Sequence, residues 1–201
     1  MGHPLIFKEK RVNTNFEVQK AGEIDIITGA NMAGKSTFLR TVGVNLILAL
    51  NGFPVCASKF QFQLLEIYTG MRTADSLKEN ESYFYAELKR LKRIIEKLKQ
   101  GKLTFLLLDE ILKGTNSVDK AKGSRKFVDN LIKLKATGIV ATHDLSLCEM
   151  EKEYPDNIEN KCFEVEIDHN KIEFDYKLRS GITKNMNASL LMQQMGIFSN
   201  E

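Results

Sequence analysis

Sulfur chemistry is nearly absent from this chain: its three cysteines, Cys56, Cys148 and Cys162, are odd in number and form no C-x-x-C pair. A disulfide framework and a thiolate zinc site are not indicated, and buried thiols are expected instead. No apolar run approaches the roughly 20 residues that a membrane helix requires, and the N-terminus lacks a signal-peptide pattern. A soluble, cytoplasmic protein with no membrane partner is the expectation. Internal repeats and low-complexity stretches are also missing. Charge of one sign is scarce, since 29 Lys and Arg face 26 Asp and Glu for a net +3, too little to argue for nucleic acid by itself. At 201 residues there is room for one α/β domain with a real core, and hardly for two.

What is present is a short, glycine-marked segment in a particular setting. Gly29-Ala30-Asn31-Met32-Ala33-Gly34-Lys35-Ser36 follows the β-branched run Ile24-Asp25-Ile26-Ile27-Thr28 and opens a helical pattern over 37–50. A loop that wraps a triphosphate needs glycines where the backbone turns tightly, inward N–H groups, and the positive end of a helix dipole beneath the anion. Gly29, Gly34 and the start of the Lys35 helix supply these. Lys35 is placed to reach the β- and γ-phosphates, and the Ser36 hydroxyl to hold Mg²⁺. The segment reads as a phosphate-binding loop, weighed against a plain Gly-rich turn.

The rest of the chain alternates strand and helix. Residues 1–23 are irregular, with short strands expected at 5–7 and 16–18. Phe38, Val42, Leu46 and Leu50 repeat at helical spacing up to Asn51-Gly52, with Pro54 beyond. Residues 60–69 alternate as a half-exposed strand would, and 70–81 read as a surface loop. Phe84, Leu88, Leu91, Ile95 and Leu98 predict a long helix from near Ser82 to Gly101. Residues 103–108 form a continuous apolar run, the mark of a strand buried on both faces of a parallel sheet. Phe127, Leu131 and Leu134 mark another helix, 138–142 another strand, 162–167 with 172–176 an antiparallel edge hairpin, and 187–195 a last helix. This order predicts an α/β fold with a mostly parallel central sheet and flanking helices.

Asp109-Glu110 ends the buried run, where ligands of open α/β sheets sit outside the strand ends. Asp109 is the candidate to bind Mg²⁺ beside Ser36, and Glu110 to polarise an attacking water as general base. His143 follows the 138–142 strand and is placed to contact the γ-phosphate or the water; a cap or an ordinary hydrogen-bonding histidine is the competing reading.

The strings Gly29-Ala30-Asn31-Met32-Ala33-Gly34-Lys35-Ser36-Thr37, Leu107-Leu108-Asp109-Glu110 with Gly114-Thr115, and Ala141-Thr142-His143 resemble the ATPase domain of the MutS DNA-repair family. The resemblance runs from His3-Pro4 to Gly196-Ile197, and Asn31-Met32 is its most specific element. It implies a P-loop, ABC-type ATPase using ATP and Mg²⁺, in which two MutS-like protomers sandwich each nucleotide between one phosphate loop and the partner's signature segment. That segment matches Asn80-Glu81-Ser82-Tyr83-Phe84, so Ser82 would reach the partner's γ-phosphate, while a simple N-cap remains its other reading. Gly114-Thr115-Asn116-Ser117-Val118-Asp119 resembles the segment lining the dimer contact. The adenine is expected near Phe7, Val12 and Asn13. One domain over 1–201 is implied, with 1–23 the approach, 24–180 the nucleotide-binding core and 181–201 a truncated helical segment.

The chain departs from the family pattern in places. Ala30 and Ala33 replace a usual Pro and Gly, tolerable while φ stays negative. Ile111-Leu112-Lys113-Gly114 replaces Ile-Gly-Arg-Gly, and Glu79 to Glu81 bring acid to the approach of Ser82. The mismatch-reading, clamp and lever regions have no counterpart, so DNA is expected to be bound through a full-length, nucleoid-associated protein and weakly or not at all by this chain. The basic residues Lys89, Arg90, Lys92, Arg93, Lys97, Lys99 and Lys102 are read as a solvated helix face. Two alternatives stay open: a nucleotide-gated interaction module with little hydrolysis, and another ABC-type ATPase, although the Leu-Ser-Gly-Gly signature of those proteins is absent.

Overall fold

The computed structural model describes residues 1–71, 83–168 and 171–184. Most of the loop expected at 70–81, Ser82 and the helix expected over 187–195 lie outside the described residues.

A six-stranded sheet runs in the order β2-β3-β4-β1-β5-β8. Its strands are β1 (Ile24–Gly29), β2 (Glu66–Gly70), β3 (Thr104–Asp109), β4 (Thr137–Ala141), β5 (Ile158–Phe163) and β8 (Leu178–Ser180). The first five pair in parallel and β8 closes the edge antiparallel to β5. β6 (Glu166–Asp168) and β7 (Lys171–Glu173) form a separate two-stranded hairpin. The helices are α1 (Lys35–Leu50), α2 (Tyr83–Lys99), α3 (Ser117–Lys133) and the short α4 (Met150–Glu153), preceded by a 3-10 turn at Leu145–Glu149. No described helix is long and apolar enough to cross a membrane.

The period of two in a strand distributes side chains between two cores. On one face Ile24, Ile26, Leu106, Leu108 and Val140 pack against Leu91, Ile94 and Leu98 of α2 and Val128 and Leu131 of α3. On the other, Ile27, Phe105, Leu107 and Ile139 meet Phe38, Leu39, Val42 and Leu46 of α1. β1 and β3 are buried along their whole length, as expected for β3 from its apolar run. Each such side chain stabilises the fold by about 1.5–3 kcal/mol.

Several expected elements differ in the structure. Strands at 5–7 and 16–18 do not form. The N-terminal segment is held by other bonds: the Met1 ammonium donates to Thr14 O at 2.8 Å, Asn45 Nδ2 to Gly2 O at 3.0 Å, and Phe16 meets Phe38 edge-on. The strand expected over 60–69 is confined to β2, because its partner β3 begins only at Thr104, opposite Glu66. Cys162 and Phe163 are not hairpin residues; they end β5, which pairs with β1 from Ile158 onward, so the hairpin is displaced to β6 and β7. The long helix also faces inward slightly differently: Ile94 is buried while Leu88 is 38% exposed.

Candidate functional site

The chain leaves β1 toward β2 on one side and leaves β4 toward β5 on the other, so the strand ends of β1 and β4 flank a topological switch point. The C-terminal ends of β1, β3 and β4 stand side by side there, carrying the loop after Gly29, Asp109-Glu110 and Thr142-His143.

The loop between β1 and α1 is tightly constrained. Gly29 has φ +147°, and a Cβ on it would lie 2.6 Å from Phe163 O, so a side chain would force β1 away from β5. Gly34, at φ +111°, caps α1 in the left-handed region. Met32 is the left-handed non-glycine residue of the loop, at φ +68°, and is 74% exposed. Ala30 and Ala33 are buried. The first turn of α1 receives no side-chain cap and carries no acidic residue, leaving its N–H groups and dipole available to an anion.

Lys35 is buried, and its Nζ donates to Gly29 O at 2.5 Å and Ala30 O at 2.8 Å. Burial pushes its ammonium down to about 8, against the opposing pull of Glu110 and Asp109. The neighbouring Ser36 Oγ donates to Asp109 Oδ2 at 2.6 Å, joining the ends of β1 and β3.

Glu110 sits at φ +51°, with its N–H donating to Ala141 O at 2.8 Å, which extends the β3–β4 pairing by one bond. Its carboxylate is engaged at both oxygens: His143 Nε2 lies 2.8 Å from Oε1 and Lys113 Nζ 3.0 Å from Oε2. The hydrogen bond from His143, then that from Lys113, hold the carboxyl down at about 2 although burial pushes the other way. Leu112, two residues on, is also left-handed at φ +59°. A side-chain-bearing residue in that region costs about 1–2 kcal/mol, so the turn needs support from outside. Glu87 of α2 supplies it, accepting the N–H of Leu112 at 2.7 Å and of Lys113 at 3.2 Å.

A cavity of about 380 Å³ opens beside these groups, with Arg11, Val12, Lys35, Ser36, Glu110 and Tyr176 among its walls. Asn31, Met32, Gly34 and Thr37 also border it. Asp109 and His143 join at one remove, through Ser36 and Glu110. Of the three residues expected near a base, Val12 borders the cavity, Phe7 is 78% exposed, and Asn13 lies against Gly2.

The pattern of single motifs did not reveal Glu87, Lys113, Arg11 or Tyr176. For Glu87 a signal existed: 84, 87, 91, 94 and 98 are spaced three and four apart, so an acid occupies a position in the apolar stripe of α2. Lys113 reaches Glu110 from three residues on, through a turn whose shape no local pattern announces, and Arg11 and Tyr176 meet the site only through tertiary contact.

The family model described as MutS domain V matches residues 25–197. The chain is 35% identical over 198 residues to human MutS protein homolog 4, a match covering 94% of this chain and 21% of that protein. It is 31% identical over 198 residues to endonuclease MutS2 of Fusobacterium nucleatum, covering 97% of this chain and 25% of the relative. With the DNA mismatch repair protein MutS of Thermotoga petrophila it shares 31% identity over 183 residues, 90% of this chain and 23% of the relative. The chain thus spans about a fifth to a quarter of the length of these relatives. Sequence and family model agree that this chain belongs to the MutS family and corresponds to its domain V.

Proposed function

We propose that this chain is a P-loop, ABC-type ATPase that binds ATP with Mg²⁺ and hydrolyses it, as the motor domain of a MutS-like DNA repair or recombination protein. The observation that carries the reading is the convergence of Lys35, Ser36, Asp109, Glu110 and His143 at three adjacent strand ends. Mismatched or branched DNA would be held by other parts of a longer protein.

The roles follow from the contacts. Lys35 exchanges its two carbonyl partners for phosphate oxygens, gaining charge-assisted hydrogen bonds worth about 1.5–3 kcal/mol each. Ser36 and Asp109 offer a hydroxyl and a carboxylate oxygen 2.6 Å apart, a hard-oxygen pair suited to Mg²⁺. The ion would supply charge neutralisation at the phosphate oxygens. Glu110, held by His143 and Lys113, orients and polarises the attacking water as general base through the lone pairs its partners leave over. Val12, Arg11 and Tyr176 border the space for the base. Met32 and Val118, each 74% exposed, are apolar side chains on the loop and on the segment after Gly114, consistent with a second protomer closing over the nucleotide.

Lys35→Ala is expected to weaken ATP binding at least tenfold, whereas Glu110→Gln keeps binding and loses about 10²- to 10⁴-fold in turnover. Parental turnover in Glu110→Gln would overturn the assignment. The full engagement of Glu110 by His143 and Lys113 favours one second reading, a nucleotide-gated interaction module with little hydrolysis. Activity per protomer separates the two: it rises with protein concentration for a sandwich enzyme and stays near background for a gated module.

A further inference from the structure

We propose that Glu87 is a positioning residue for turnover, which sets the Glu110 carboxylate by tying α2 to the turn that follows it. The inference rests on the hydrolysis reading above. Glu87 accepts two successive backbone N–H groups, of Leu112 and Lys113, across 25 and 26 residues of sequence. Those groups belong to the turn in which Glu110 and Leu112 both hold left-handed φ, a shape that relaxes unless something outside the turn maintains it. Lys113 in turn places its ammonium on Glu110 Oε2. One carboxylate on α2 therefore governs both the backbone after Glu110 and one of the two partners of its side chain.

A second contact locks the same pair of elements. A Cβ on Gly114 would stand 2.8 Å from Phe84 Cβ and 3.3 Å from Phe84 N, so the first turn of α2 lies directly on the end of this turn. Helix and turn move together as a consequence. α2 begins at Tyr83, immediately after Ser82 in the sequence, so a displacement of the helix start would reach Glu110 through Glu87.

The test uses Glu87→Ala and Glu87→Gln in the full chain, with kcat and KM for ATP in magnesium, direct ATP affinity and thermal unfolding. Glu87→Ala is expected to lower kcat at least tenfold while ATP affinity stays within twofold. Glu87→Gln keeps one acceptor oxygen for Leu112 N–H and should fall between the two. In a Glu110→Gln background, Glu87→Ala should cause no further loss, because it acts through Glu110. A parental kcat in both variants, a kcat loss that persists undiminished in the Glu110→Gln background, or a loss of affinity matching the loss of kcat would overturn the proposal. If Glu87→Ala does not fold, Glu87→Gln alone decides by the same criteria. An unsubstituted chain without turnover would instead overturn the hydrolysis reading, and this one with it.

Discussion

Leu112 shows two opposed effects at one residue. Its left-handed φ of +59° costs about 1–2 kcal/mol, yet its side chain is only 6% exposed and belongs to the core under α2 and α3. Truncating a buried leucine costs about 2–5 kcal/mol, so burial outweighs strain. Leu112→Gly, which restores the residue that the family pattern carries there, is expected to destabilise the fold by about 1–3 kcal/mol in urea unfolding; a stabilised variant would show that strain dominates. At this scale the sequence was informative wherever chemistry and backbone shape coincide locally. Gly29, Gly34, Lys35 and Ser36 lie within eight residues, and the geometry brings Lys35 and Ser36 to the strand ends as their order requires. Glu87 and Lys113 were not legible as site residues, because what they do depends on a turn that only the folded chain brings beside α2.

A buried carboxyl–ammonium contact spans β1 and β5. Asp25 Oδ1 accepts from Lys161 Nζ at 2.6 Å, and Lys161 also lies 3.1 Å from Glu159 Oε2. Asp25 is fully buried, and among the described residues its Oδ2 has no hydrogen-bond partner. Burial pushes its carboxyl up to about 7 from the usual 3.8, outweighing the pull of Lys161. Between those values the folded state holds the proton more tightly than the unfolded chain, so this group lowers stability as pH rises from about 4 to about 7. Asp25→Asn removes that dependence: its stability relative to the parent should improve across this window and level off above it, as read by guanidinium unfolding at several pH values. A difference constant with pH would contradict the assignment. The same charges explain why β5 was missed. Glu159, Asn160 and Lys161 interrupt its apolar pattern, and nothing in the local sequence shows that Asp25, more than a hundred residues away, receives the lysine. β3, with Phe105 to Leu108 unbroken by charge, announced itself.

For the whole molecule, strand order decides where chemistry collects. With β1 central between β4 and β5, the loops that leave β1, β3 and β4 share one crevice; the alternation of strands and helices pointed to a mostly parallel sheet with its ligand outside the strand ends, whereas the strand order, with β5 beside β1, emerges only in the folded chain. The membership in MutS domain V fits it, although the chain covers about a fifth to a quarter of its relatives' length, so its work within a longer protein belongs to the proposal. In the proposed function one triphosphate organises Lys35, Ser36, Asp109, Glu110 and His143. A crystal structure of the chain with magnesium and a non-hydrolysable ATP analogue tests it most directly. Lys35 Nζ is expected to leave the carbonyls of Gly29 and Ala30 for the terminal phosphates, with the metal held at Ser36 and Asp109. An analogue bound elsewhere, or a Lys35 still seated on those carbonyls with the analogue in place, would contradict it.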